Sequence, residues 1–318
     1  MSRDARIYAR ARDAYENMLH KRQLLIDKRV EEIARKNPRI DEILSQMQLS
    51  GLKAVRAAMD CPPDEVDRRV KEIADENLAL QAERADLLIS LGYPADYLTR
   101  NSFCPECDDT GEVNGHFCKC FLPYYVHETA AEIERTVGYS LPDLSVTEKQ
   151  ISGEAALKVL SECKRYAATV ETSRKGLLLE GASGFGKTHL ALGIAREVIS
   201  RGMTVLYVTA PDYFRYHDED YYRHSDEARL ELERFRNCDI LILDELGMEV
   251  QSQNNTPFLL SLLTSRIAAK HPTVICTQLR GDGLRSLYTS SIIMRLNYDF
   301  EHIDIPNSEL QRAAYRIR

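Results

Sequence analysis

The sequence predicts an α/β protein: a parallel sheet with helices on both faces, preceded by an all-α region and a small cysteine module. Three observations carry this. From residue 176 onward, short apolar runs alternate with amphipathic stretches, the pattern of strand–helix–strand units. Residues 1–100 instead repeat apolar side chains at three-, four- and seven-residue steps. Between the two regions, four cysteines crowd into the stretch from Cys104 to Cys120.

In the helical region Tyr15, Leu19, Ile26, Val30 and Ile33 mark a first helix that Pro38 ends. Ile40, Ile43, Leu44, Met47 and Leu52 define a second, running to Met59. Cys61-Pro62-Pro63-Asp64 resets the chain, proline being favoured in a first helical turn. A third helix reaches Leu91, with Val66, Val70, Ile73, Leu80, Leu87 and Leu91 on a heptad seam that Asn77 and Arg84 interrupt. Alternating charges cover the other faces, so a solvated hairpin or small bundle is expected. A spacer and a partner-docking domain both fit this region.

Cys104-Pro-Glu-Cys107 and Cys118-Lys-Cys120 form two short chelating pairs joined by a linker whose Gly111 and Gly115 can turn the chain. Such pairs suit tetrahedral Zn²⁺ held by Cys104, Cys107, Cys118 and Cys120, in a structural role. An iron–sulfur cluster and a set of reduced, unliganded thiols are the competing readings, and His116 is close enough to replace one thiolate. Cys61, Cys163, Cys238 and Cys276 are scattered and read as small apolar fillers.

Residues 126–175 read as a connecting segment that includes a helix from Glu154 to Thr169. Strands follow at Leu177–Glu180, Thr204–Thr209, Asp239–Asp244, Thr273–Thr277 and Ile303–Ile305, with a helix at Thr256–Lys270. Continuous apolar runs such as Ile240-Leu-Ile-Leu243 suit strands buried on both faces.

Between the first of these strands and the next helix lies Gly181-Ala182-Ser183-Gly184-Phe185-Gly186-Lys187-Thr188, with His189 next. It fits the phosphate-binding P-loop at every fixed position. Its glycines let successive N–H groups face one anion at the positive end of a helix. Lys187 would reach the β- and γ-phosphates of ATP, and the Thr188 hydroxyl would hold Mg²⁺. Asp239-Ile-Leu-Ile-Leu-Asp244-Glu245 supplies an acid pair at a strand end: Asp244 for Mg²⁺ and Glu245 as the base that polarises water. Gln278 ends the next strand, where its amide would sense the γ-phosphate or orient the water. Arg295 would stabilise transition-state charge at a neighbouring subunit's nucleotide, or serve as an ordinary surface arginine.

The chain's 318 residues are 44% hydrophobic and 29% charged, an ordinary composition for a folded protein with about two domains. A net charge of −7 argues against a generally basic nucleic-acid binder. No apolar run has the length of a membrane span and the start is no secretory signal, so a cytoplasmic protein is expected. Tyr207, Tyr213, Phe214, Arg215, Tyr216, Tyr221, Tyr222 and Arg223 interleave aromatic and cationic groups that suit single-stranded DNA. Asp212, Asp218, Glu219, Asp220, Asp226 and Glu227 among them would repel its backbone, and core packing explains the same residues.

Together the P-loop, Gly202–Ala210, Cys238–Gly247, the Arg295 segment and the cysteine module led by Gly92–Leu98 resemble the AAA+ helicase loaders of the DnaC/DnaI type. The transposition helper ATPases of the IstB type are close relatives that generally lack a zinc module. The resemblance implies a P-loop sheet without the helical lid of other AAA+ proteins, which binds ATP and single-stranded DNA. It implies an N-terminal domain that docks on a hexameric replicative helicase, self-association, Asp244 and Glu245 as Walker B, and Arg295 as arginine finger. Gln278 departs from the family's usual asparagine, and Ser291 stands where a second arginine is frequent. The ending from Asn307 to Arg318 also differs.

The expected organisation is a helical partner-binding domain over 1–100, the zinc module over 101–125, the connecting segment over 126–175 and the ATPase domain over 176–318. ATP hydrolysis in DNA replication is the expected function. A transposition helper, a small-molecule kinase and a nucleotide-sensing adaptor without efficient hydrolysis are the alternatives.

Overall fold

The computed structural model describes residues 4–60, 62–99, 102–150, 153–184 and 186–306. Cys61, Phe185 and the ending from Asn307 lie outside the described residues. The chain divides into two compact units, one of residues 14–118 and the other of residues 1–13 and 119–318.

The smaller unit holds most of helix α1 (Ala5–Lys36), α2 (Pro38–Asp60), α3 (Pro63–Ser90) and a hairpin of β1 (Glu112–Val113) and β2 (His116–Phe117). Ile33, Ile40, Leu88 and Leu98 form its buried cluster, flanked by Val30, Leu44, Leu87 and Leu91. The deepest α3 residue there is Leu88, one position beyond the expected seam. A bidentate Arg39–Glu83 pair, at 2.8 and 3.0 Å, ties α2 to α3. The buried face of α2 runs from Ile40 and Ile43 through Ser50 to Ala57, while Leu49, Leu52, Val55 and Met59 lie on another side of the helix and stay exposed.

The larger unit continues with α4 (Leu122–Val137), α5 (Leu144–Gln150) and α6 (Glu154–Ser173). Then come β3 (Gly176–Glu180), α7 (Lys187–Ile199), β4 (Val205–Thr209), α8 (Ala210–Arg223), α9 (Asp226–Asn237) and β5 (Ile240–Leu246). It ends with α10 (Asn255–Ala268), β6 (Thr273–Thr277), α11 (Asp282–Leu287), α12 (Ser290–Asp299) and β7 (Phe300–Asp304). The five strands run parallel in the order β4-β5-β6-β3-β7. Chain order reverses at β3, which puts a crevice at its carboxyl end.

The aromatic, polar stretch after β4 is helical. Thr209 caps α8 and Ser225 caps α9 through side-chain bonds to the N–H groups of Asp212 and Ala228. Tyr213 and Phe214 of that stretch are buried, while Tyr221 and Tyr222 are exposed. The expected connecting segment is part of the main core: Ile133, Leu141, Leu144, Val159, Tyr166 and Val170 pack with the sheet. The sequence boundary at residue 176 therefore falls inside a packed body, because amphipathic helices and the sheet they cover cannot be told apart as domains by composition.

The first turns of α1 also belong to this unit. Asp4 Oδ1 accepts from the N–H groups of Arg6 and Ile7, capping the helix, while its Oδ2 accepts from Arg234 Nε at 2.6 Å. Arg234 further pairs with Glu132 at 2.6 Å and Glu231 at 2.7 Å. Arg6 pairs with Glu231, and Arg10 with Glu132. At the amino ends of the strands, the fully buried Arg266 of α10 donates to the carbonyls of Phe235, Cys238 and Pro272.

Candidate functional site

At the carboxyl end of β3 the loop through Gly184 and Gly186 adopts φ values of 80° and 85°. Only glycine reaches these without strain, and they turn the backbone into the first turn of α7. Lys187 begins that helix and donates from Nζ to the carbonyls of Gly181 and Ala182, each at 2.8 Å. Burial pushes its pKa down, with the Arg280 charge adding and Asp244 and Glu245 opposing.

Two strands away, β5 delivers the acid pair. Leu243 pairs with Ile275 and Leu246 with Thr277, so Asp244 and Glu245 together oppose the single residue Cys276. This is a β-bulge, and it re-aims both side chains. Glu245 pays with a φ of 59°, an uncommon conformation for a side-chain-bearing residue. Asp244 is 2% exposed, and its Oδ2 accepts from the Thr188 hydroxyl at 2.6 Å and the Tyr207 hydroxyl at 3.0 Å. Its Oδ1 accepts from the Glu245 N–H at 2.8 Å. Burial, followed by the Asp244 charge, pushes the Tyr207 phenol up, so it stays a protonated donor.

These groups face a cavity of about 840 Å³. Ser183, Gly184, Gly186, Lys187, Thr188, His189, Asp244, Glu245 and Gln278 all line it. Gly181 and Ala182 serve instead as acceptors for Lys187, and Phe185 lies outside the described residues. The described lining residues do not include Arg295, which is half-buried on α12. Gln278 is exposed on the rim and its amide meets Met248 Sδ.

Val137, Tyr139, Ser140 and Pro142 complete the wall. Sequence reasoning missed them, along with Met248, and read Tyr207 as a base-stacking residue where the structure has it donating to Asp244. The only local signal is the punctuation by Gly138 and Pro142 of a loop between helices. His189 Nε2 meets Thr147 Oγ1 at 2.9 Å, and burial pushes the imidazole pKa down. The residues fit Mg²⁺-ATP: a hydroxyl and a carboxylate already share one point beside a helix N-terminus and a lysine.

In the cysteine module the four Sγ atoms of Cys104, Cys107, Cys118 and Cys120 lie within 4.8 Å of one another. Cys104 and Cys118 are 3.6 Å apart, against about 3.8 Å for the edge of a tetrahedron with 2.3 Å Zn–S bonds. Asp109 accepts from the N–H groups of Phe103 and Cys104 at 2.9 and 2.8 Å, and the Gly111 N–H points at Cys107 Sγ at 3.3 Å. The thiols fit zinc, and the backbone donors around them orient the ligands.

A parallel sheet with a phosphate loop after one strand, an acid pair two strands away and a polar residue ending the strand between them defines an AAA+ P-loop nucleotide-binding domain. Residues 152–305 match the model of the IstB-like ATP binding protein family. The chain is similar to the replicative helicase loader DnaC of Escherichia coli K12, 23% identical over 147 residues, 46% of this chain and 60% of that protein. It is similar also to DnaC of Buchnera aphidicola subsp. Baizongia pistaciae, 28% identical over 174 residues, 52% of this chain and 70% of that protein. A crystal structure of DnaI aligns at 25% identity and a TM-score of 0.44, covering 49% of this chain and 87% of that one. The chain spans about 60% of the length of the first of these relatives.

Proposed function

We propose that the protein hydrolyses ATP and uses the nucleotide cycle to load or remodel a hexameric replicative helicase on single-stranded DNA. One observation carries the enzymatic part: the bulge in β5 sets Asp244 against Thr188 while turning Glu245 out beside the same cavity. Thr188 and Asp244 would hold Mg²⁺, which supplies charge neutralisation on the phosphate oxygens when bound. The α7 N-terminus and Lys187 bind the phosphates, the lysine leaving the carbonyls of Gly181 and Ala182 to do so. Glu245 accepts the proton of the attacking water, and Gln278 on the rim orients that water. Replacing Glu245 with Gln removes the proton acceptor but no phosphate contact. Steady-state turnover should fall about 10²-fold or more while ATP affinity holds. Turnover equal to the parent's would remove Glu245 from this role, and a parent that binds ATP without turning it over is the adaptor.

The helicase reading is supported by the DnaC relatives and by the exposed α2 face, where Leu52 is 62% and Met59 79% exposed. The test is co-purification with candidate hexameric helicases, with and without ATP. Leu52→Glu with Met59→Glu should abolish the complex, whereas Lys187→Ala should retain it. Equal binding by all three proteins would refute docking through α2. The family match equally favours a transposition helper; capture of a transposase instead of a helicase would decide for it. Contact with single-stranded DNA would use the exposed Tyr221 and Tyr222 of α8, and association between copies would bring Arg295 to a neighbour's nucleotide.

A further inference from the structure

Beyond the acid pair, the turn after β5 carries a third acid, Glu249, which none of the proposed chemistry uses. It is 5% exposed, and burying a carboxylate requires partners. Glu249 has two. Oε2 accepts from the Gly247 N–H at 2.8 Å, and Oε1 accepts from the hydroxyl of Tyr288, itself 5% exposed. Burial, followed by this hydrogen bond, pushes the Tyr288 phenol up, which keeps it the donor.

The two partners belong to different parts of the domain. Gly247 lies in the turn closed by the Met248 N–H on the Glu245 carbonyl at 3.0 Å, and this turn holds Glu245 at its positive φ. Tyr288 ends α11 and is separated from α12 by one residue, Thr289. The turn is fixed from a second side as well. Thr277 Oγ1 donates to the Leu246 carbonyl at 2.7 Å. Gly247, at φ 94°, lies so close to Leu279 that a Cβ there would stand 2.3 Å from Cδ1. The turn is therefore boxed between β6 and the α11–α12 segment, and the Glu249 carboxylate links it to the Tyr288 hydroxyl of the latter.

We propose that Glu249 is a positioning residue: its carboxylate, held between the Gly247 N–H and the Tyr288 hydroxyl, fixes the turn that presents Glu245 and couples it to the segment carrying Arg295. This rests on the ATPase reading for its kinetic consequence, though not for its structural one. Movement of α12 changes the pull on Tyr288, and Glu249 passes that change to the hydrolytic base without touching the phosphate-binding residues.

The chemistry of the pair predicts an asymmetric series. Glu249→Ala leaves the buried Tyr288 hydroxyl without its carboxylate acceptor and removes the Gly247 N–H's bond to Oε2. Glu249→Gln retains a carbonyl for Gly247, and its amide can donate to the Tyr288 oxygen, so it preserves the link without the charge. Tyr288→Phe cuts the link and leaves Gly247 paired.

The experiment combines steady-state ATP turnover, affinity for a fluorescent ATP analogue, and backbone hydrogen exchange on the full chain. For Glu249→Ala, kcat should fall about tenfold with analogue affinity within threefold, a split that general destabilisation does not give. Glu249→Gln should stay within threefold of the parent kcat. Exchange should quicken in both 245–248 and 287–296 for Glu249→Ala and Tyr288→Phe, with the P-loop segment unchanged. Exchange confined to one of the two segments, or unchanged in both, overturns the coupling whether or not the parent hydrolyses ATP. A kcat for Glu249→Ala within twofold of an active parent overturns the positioning role. A parent without turnover refutes the ATPase reading alone, since the exchange result still decides the link.

Discussion

Asp244 accepts from the hydroxyls of Thr188 and Tyr207 through one oxygen and from a backbone N–H through the other. Its carboxylate is thus oriented before any cation arrives, and pre-orientation is what a small, geometrically strict ion requires. The Thr188 bond is made by a group that would itself hold Mg²⁺, whereas the Tyr207 bond has no such second duty. Tyr207→Phe should therefore free one side of the carboxylate. A Mg²⁺ titration of turnover at fixed ATP should show a severalfold higher half-saturation, with kcat at saturating Mg²⁺ nearly unchanged. Glu245 shows the opposite treatment: its side chain is exposed and its backbone held in a sparsely populated conformation. Positive φ at a side-chain-bearing residue commonly costs about 1–3 kcal/mol and persists where surrounding structure enforces it. The boxed turn after β5 supplies that enforcement.

At the scale of elements, the start of α1 is held by ions more than by apolar area. Arg234 is 14% exposed at its side chain and meets Asp4, Glu132 and Glu231. Removing one partner from such a network leaves carboxylates uncompensated in a poorly solvated place. Arg234→Ala should lower unfolding stability by about 3–5 kcal/mol in urea titrations. Burial alone would raise the Glu132 carboxyl, but the hydrogen bond and charge of Arg234, with Arg10, hold it at about 2. Its folded pKa lies below the ordinary value, so its contribution is present above about 4.5 and is lost as pH falls toward 2.

A different element loses stability at milder acidity. His217 of α8 stacks on Phe258 at 4.0 Å and accepts from or donates to the Tyr213 hydroxyl at 2.8 Å. Burial, reinforced by the Arg236 charge, pushes its pKa down to about 4. The unfolded chain then binds more protons than the folded one between about 6.5 and 4. Stability should fall through that window as pH drops, and the melting temperature at pH 5 should lie a few degrees below that at pH 7. His217→Gln, which keeps a polar group but does not titrate, should flatten this slope in thermal melts.

For the whole molecule, the two compact units predict separable responses. The cysteine module has only a two-stranded hairpin and a few buried residues of its own, so a bound metal would contribute much of its folding energy. Stripping zinc with a chelator, or replacing Cys107 with Ser, should open residues 102–118 to limited proteolysis. Binding of a fluorescent ATP analogue should be largely retained, because the nucleotide cavity is lined by residues 137–278. Loss of both together would show that the module is needed to hold the nucleotide-binding unit in shape. Among the described residues no helix is long and apolar enough to cross a membrane.

The sequence by itself determined the parts whose signals are local. Gly184, Gly186, Lys187 and Thr188 are fixed by what a backbone must do to wrap a phosphate, and the CxxC and CxC pairs by the reach of two thiolates toward one ion. Strand positions were legible because strands buried on both faces must be continuously apolar. Only the tertiary structure decided what depends on distant segments meeting. Tyr207 reaches Asp244 because β4 and β5 are neighbours, and the Val137–Pro142 wall borders the cavity because α4 and α5 pack against α7. Asp4 joins the nucleotide-binding unit through an arginine 230 residues away, and Glu249 meets Tyr288 across 39 residues. A side chain's type records what bond it can make, whereas its partner is chosen by packing, which no local pattern in the chain contains.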